Sequence, residues 1–153
     1  PAYTAVAREG DTIPLTLTRA EPAAVTGQPV FSQQTAREIR AMLEMAVQPG
    51  GTAPKARVSG YRVAGKTGTA YKIESGQYVK KYIASFVGFA PVSDPRLIVA
   101  VMIDEPGRGR HYGGDVAGPV FSNVMSGALR TLGIPHDALV QVAQGTAAGK
   151  GAL

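Results

Sequence analysis

Three strand-like segments follow one another through the middle of the chain, and the links between them are short. Residues 61–74 carry Val63, Thr67, Thr69, Tyr71 and Ile73. Residues 78–90 carry Tyr82, Ile83, Phe86, Val87 and Phe89, and residues 96–103 read RLIVAVMI. β-Branched and aromatic side chains of this kind suit a pleated, half-buried surface. Ser75, Gly76 and Gln77 connect the first pair, and residues 91–95 connect the second. A parallel crossover takes roughly a dozen residues or more, whereas an antiparallel pair closes through a tight turn. The spacing therefore predicts an antiparallel three-stranded meander. Its last segment is almost wholly apolar, which predicts a strand buried on both faces.

Helices frame this sheet. Ser32 is a good N-cap, and Ala36, Ile39, Leu43, Ala46 and Val47 recur at helical spacing, which predicts a helix over residues 33–47 that stops at Pro49-Gly50-Gly51. This helix is expected to belong to a neighbouring helical region. A second set, Val116, Val120, Phe121, Val124, Met125, Ala128, Leu129 and Leu132, predicts a helix over 115–132 that ends at Gly133 and covers one face of the sheet. Residues 1–7 read as the end of a helix and 8–11 as a turn. Residues 12–21 read as an extended edge segment interrupted by Pro14, and 22–29 as a loop. One domain is expected over 1–137, then a flexible tail over 138–153 whose last ten residues are disordered.

The stretch GYRVAGKTGTA, residues 60–70, contains two chemical patterns. Its first eight residues are G-x-x-x-x-G-K-T, the phosphate-binding P-loop. Residues 97–105, LIVAVMIDE, add a look-alike of the strand whose Asp holds magnesium in such proteins. A P-loop needs a buried strand before its first Gly and a helix starting at Gly-Lys-Thr, because loop amides and the helix N-terminus hold the phosphates. Only one large apolar residue, Val58, lies in residues 54–59. After Lys66, the residues Gly68, Thr69, Tyr71 and Ile73 favour strand, and Ser75-Gly76 ends the segment. The context argues against a nucleotide triphosphatase.

The second pattern is Lys66-Thr67-Gly68. On a strand, Thr67 and Thr69 share one face, and Lys66, Gly68 and Ala70 the other. Two hydroxyls so placed make a clamp for a carboxylate. Gly68 leaves room for a peptide to approach the backbone, an edge strand can pair with an extended peptide, and Lys66 supplies a positive field. An ordinary amphipathic strand would carry the same tripeptide.

Longer elements separate the two patterns. GYRVAGKTGTA, KKYIASFVGFAPVSDPRLIVAVMIDEP and YGGDVAGPVFSNVMSGALR occur in that order, preceded by TAREIRAMLEMAV and GGTAPKARVSGY. Together they resemble the C-terminal half of the transpeptidase domain of class B penicillin-binding proteins, most closely the cell-division type. The resemblance implies an α/β (α+β) fold, an antiparallel sheet with packed helices, forming part of the penicillin-binding-protein transpeptidase or serine β-lactamase-like architecture. It implies a peptidoglycan D,D-transpeptidase that binds stem peptides ending in D-Ala-D-Ala, and β-lactams. In that reading Lys66 stabilises the serine–lysine network, and the hydroxyls of Thr67 and Thr69, on either side of Gly68, bind the terminal carboxylate. The backbone N–H of Thr69 is half of an oxyanion hole, and Tyr112 belongs to an aromatic wall. His111 beside it reads as a surface loop residue. No cofactor and no metal are implied.

One part of the family pattern is missing. No serine in the chain has Lys three positions later or Asn two positions later, and Ser93-Asp94-Pro95 is the nearest miss. There is no G-x-S-x-G, and His111 and His136 lack an evident partner for a Ser-His-Asp triad. The expectation is a C-terminal portion that acts with the upstream half of a longer parent. That parent would be tethered to the inner membrane by an N-terminal anchor absent from this chain, would face the periplasm, and would meet division-complex proteins. The alternative is a non-catalytic penicillin-binding-like interaction module. Without Cys the chain has no thiol nucleophile, disulfide or thiolate metal ligand. The net charge of +5 is scattered over Arg37, Arg40, Lys80, Lys81, Arg108 and Arg110 and reads as solvated surface, whereas nucleic-acid binding favours a continuous basic stripe. The longest strongly apolar run, residues 97–103, is far short of the roughly 20 residues that span a bilayer.

Overall fold

A computed structural model describes residues 2–18, 26–107 and 109–138. The elements in chain order are α1 (Ala2–Ala7), β1 (Asp11–Thr12), β2 (Gln28–Pro29), α2 (Gln33–Met45), a 3₁₀ turn (Pro54–Ala56), β3 (Ala64–Glu74), β4 (Gln77–Ala90), β5 (Leu97–Asp104) and α3 (Gly113–Thr131). β3, β4 and β5 form the expected antiparallel sheet in sequential order. The β3–β4 link is a two-residue turn at Ser75 and Gly76, with φ of 50° and 79°. Such a turn matches the twist of the strands it joins, and glycine adopts positive φ without steric cost.

The sheet has two differently covered faces. α3 lies across one of them. Phe86 of β4 meets Phe121 of α3 edge to face at 4.7 Å between ring centres, and Met125 and Leu129 complete a fully buried row. Leu97, Val99, Val101 and Ile103 of β5 pack against the same cluster. On the other face Ala64, Phe89 and Val92 pack with Val6 of α1, joined by Ile39 and Leu43 of α2. α2 thus packs on this sheet, against β3, and beside α1.

Three expectations are corrected. β5 is not buried on both faces: its residues alternate, and Ile98 and Met102 are 38% and 73% exposed on the side away from α3. Ile98 borders a pocket shared with Tyr3 of α1 and Leu15, whereas Met102 is bare. The apolar stripe of α3 is narrower than its sequence suggests, since Phe121, Met125 and Leu129 are buried whereas Val120, Val124 and Leu132 are largely exposed. Arg40 is not solvated surface. It is buried, with Nε donating to the carbonyl of Val6 at 2.8 Å and Nη2 to that of Ala7 at 3.3 Å. It thereby satisfies carbonyls at the end of α1, which no intrahelical N–H can reach.

Boundaries moved elsewhere. Ser32 caps α2 as expected, its Oγ accepting from the Thr35 N–H at 3.1 Å, but the helix ends two residues early, at Met45. Among the described residues of the segment 12–21, only Thr12 continues the strand begun at Asp11, and it pairs with Gln28, within the stretch that reads as loop. Residues 19–21 and 22–25, Arg108 and the tail beyond Ala138 lie outside the described residues.

The entry to β3 is held tightly. The Arg62 guanidinium donates to both carboxylate oxygens of Glu44 on α2, at 2.7 and 2.6 Å. That hydrogen bond raises the Arg62 pKa above its ordinary value, against a smaller opposing effect of burial. The Arg62 N–H donates to Asp137 Oδ1 at 2.7 Å, and Tyr61 Oη donates to the Ile134 carbonyl at 2.5 Å. The segment after α3 therefore pins the start of the strand that carries Lys66.

Candidate functional site

β3 is an edge strand: β4 pairs with one side of it, and among the described residues no strand pairs with the other. Thr67 lies opposite Phe86 and Thr69 opposite Ala84 in the register, so both hydroxyls project on the α3 face. There α3 stops short of the edge. Its first residue, Gly113, sits over the strand pair, and the Gly113 N–H donates to Thr69 Oγ1 at 3.1 Å. A Cβ on Gly113 would run into the carbonyl oxygens of Ser85 and Gly68, so only glycine permits this approach.

The space left in front of the helix is a groove of about 390 Å³. Thr67 and Thr69 form one wall, and Tyr112 and Gly114 the helix end. Thr52 and Lys55, on the loop after α2, form the opposite wall. Thr67 Oγ1 donates to Thr52 Oγ1 at 3.4 Å, so a third hydroxyl joins the pair seen in the sequence. Lys55 Nζ is 2.6 Å from Asp115 Oδ1, in the first turn of α3. That contact holds the Asp115 carboxyl below the ordinary Asp range, with a smaller pull from Arg110.

The structure brings together Thr67, Thr69 and Tyr112 and keeps Lys66 apart. Lys66 is exposed on the other face of the strand, and its Nζ donates to the Thr67 carbonyl at 2.9 Å. The cation in the hydroxyl groove is Lys55, which sequence reasoning did not single out. Gly68 also differs from expectation, because the room at its Cα is taken internally: a Cβ there would come within 2.5 Å of Ser85 Oγ. Tyr112 is 62% exposed and ends a run of touching rings. His111 stacks on Tyr82 at 4.0 Å and touches Tyr112 at 4.4 Å, so it is part of a wall and not an isolated loop residue. Tyr71 extends the run at 4.8 Å from Tyr82, and its hydrogen bond pushes the Tyr82 phenol above its ordinary pKa.

The P-loop reading fails on topology. Lys66 and Thr67 lie inside β3, no helix follows them, and β5 with its Asp104 is antiparallel to β4. Phosphates would find neither a loop cradle nor a helix N-terminus there. Among the described residues, no group of three His, Asp or Glu side chains could hold a metal ion.

An edge strand with paired hydroxyls thus lies between the glycine-started end of a helix and an aromatic wall. The description "Penicillin binding protein transpeptidase domain" matches residues 1–126, and the chain belongs to that family. A solved transpeptidase domain of penicillin-binding protein 3 from Burkholderia pseudomallei, in its apo form, superposes with a TM-score of 0.81 at 53% identity, covering 89% of this chain and 42% of that one. The probable peptidoglycan D,D-transpeptidase PenA of Neisseria gonorrhoeae is 46% identical over 134 residues, 87% of this chain and 23% of the relative. The peptidoglycan D,D-transpeptidase FtsI of Escherichia coli K12 is 44% identical over 138 residues, 90% of this chain and 23% of the relative. The chain therefore spans about a quarter of the length of these curated relatives.

Proposed function

We propose that this chain is the substrate-clamping portion of a peptidoglycan D,D-transpeptidase that cross-links stem peptides during septal wall synthesis. The observation that carries the reading is the open β3 edge with Thr67 and Thr69 in one groove. A peptide laid along that edge meets the main-chain groups that point away from β4, and its terminal carboxylate meets two hydroxyls. The Thr69 backbone N–H serves as one oxyanion donor; loss of such a donor typically costs about 10²–10³ in rate. Lys66, across the strand from the clamp, faces the position of a serine–lysine pair supplied by an upstream segment. β-Lactams enter the same clamp through their carboxylate. The parent sits in the bacterial inner membrane with this domain in the periplasm. Among the described residues no helix is long and apolar enough to cross a membrane.

The test is covalent labelling by a fluorescent penicillin. The polypeptide that contains both this chain and an S-x-x-K segment becomes labelled, and the isolated 153-residue chain stays dark. Labelling of the isolated chain overturns the division of labour. An upstream sequence without S-x-x-K turns the reading to a non-catalytic binding module.

A further inference from the structure

Among the described residues, Lys55 and Asp115 are the two charged side chains that line the hydroxyl groove, and they are tied to each other. They lie 60 positions apart, on the loop after α2 and the first turn of α3. Neither is deeply buried, at 48% and 42% side-chain exposure, so both remain open to a ligand. Asp115 occupies the place an anion would choose, beside an ammonium and at a helix N-terminus. Lys66, the cation of the sequence motif, projects from the other face of the strand, donates to the Thr67 carbonyl, and is not among the residues that line this groove.

We infer that Lys55 is a ligand-binding residue, the cation that meets the terminal carboxylate held by Thr67 and Thr69, and that Asp115 is an internal carboxylate competing for it. The inference rests on the transpeptidase reading above and names the charge that completes its clamp. An ammonium carries three N–H donors on a flexible stem, so Lys55 can give one to a ligand while keeping Asp115 or leaving it. The Asp115 contact keeps Lys55 at the groove wall in the free protein. It also weakens the groove's field for anions, because the pair is neutral. The groove therefore selects ligands whose carboxylate is free and close enough to displace Asp115, and disfavours esters and amides at that position.

The experiment measures acylation rates of the polypeptide containing this chain and its serine segment, using a fluorescent penicillin and the methyl ester of the same penicillin. Lys55→Met is expected to slow the free acid about tenfold, the scale of one charge-assisted hydrogen bond, and to leave the ester rate unchanged. Lys55→Arg keeps the charge and restores most of the acid rate. Asp115→Asn is expected to speed the acid about threefold, the scale of an exposed ion pair, again without changing the ester. Equal effects of Lys55→Met on acid and ester, or none, overturn the inference and assign the pair a structural role. The double variant Thr67→Val/Thr69→Val separates the two levels. If it abolishes the acid preference while Lys55→Met does not, the clamp stands and Lys55 is dismissed. If it leaves the preference intact, or the unaltered protein is not acylated, the transpeptidase reading falls with the inference.

Discussion

β3 and β5 form the two outer edges of one sheet, and they are built for different neighbours. β3 is polar around its middle, with Lys66, Thr67, Gly68 and Thr69, and the start of α3 approaches it closely through Gly113. β5 has no polar residue before Asp104, and its outer face leaves Met102 bare. Among the described residues each pairs with a strand on one side only, so strand pairing alone does not distinguish them. Side-chain chemistry does. A hydroxyl-lined edge can exchange water for a small polar ligand, whereas an apolar edge gains only from permanent burial and otherwise invites association. The chain covers 42% of the solved transpeptidase domain it superposes on.

The largest expected effect comes from the support shared by both edges. Phe86 lies on β4 between them, fully buried against Phe121. Phe86→Ala should cost about 3–5 kcal/mol, a large part of the roughly 5–15 kcal/mol available to a domain. Urea unfolding should show it, and a loss below about 1 kcal/mol would mean that the α3 face is not the main core. Next comes the apolar edge. Met102→Lys should change the stability of the isolated chain by no more than about 0.5 kcal/mol while lowering its self-association in light scattering. Unchanged association would place the sticky surface elsewhere.

The smallest effect concerns the bond between the edges. Lys72 of β3 reaches past β4 to Asp104 Oδ1 at 2.9 Å and Glu105 Oε1 at 2.7 Å. The hydrogen bond from Lys72 lowers the Glu105 pKa from its ordinary 4.5. A carboxyl with a lowered folded pKa contributes stability that is present above the ordinary value and lost as pH falls through the folded one. Thermal melts should therefore show a small destabilisation below about pH 4, absent in Lys72→Met and weakened by salt because the groups are exposed. An acid limb that persists in Lys72→Met would assign it to other carboxylates.

The candidate site was only partly legible. Thr67 and Thr69 could be paired from the sequence because strand alternation is a local rule and both lie on one strand. Tyr112 could be placed beside them only through the resemblance. Lys55 gave no signal, since its neighbourhood is a Gly- and Pro-rich loop without periodicity. Its role depends on where the 3₁₀ turn packs against α3. The same alternation that pairs the threonines puts Lys66 on the opposite face, and the structure keeps it there. Arg40 looked like any helix-surface arginine because its partners are backbone carbonyls of α1, and a carbonyl has no sequence identity.

What the sequence determined by itself was the meander and the strand assignment of Lys66 to Thr69. Link length and side-chain type act over a few residues, and no distant contact can turn a three-residue link into a parallel crossover. The tertiary structure decided which face of β5 is covered, which arginine is buried and which lysine shares the groove with the threonines. Those outcomes depend on surfaces far apart in the chain meeting in space: Lys55 meets Asp115, and Arg40 meets the end of α1. Such meetings are set by the packing of whole elements around Phe86 and Phe89, and no short stretch of sequence encodes them.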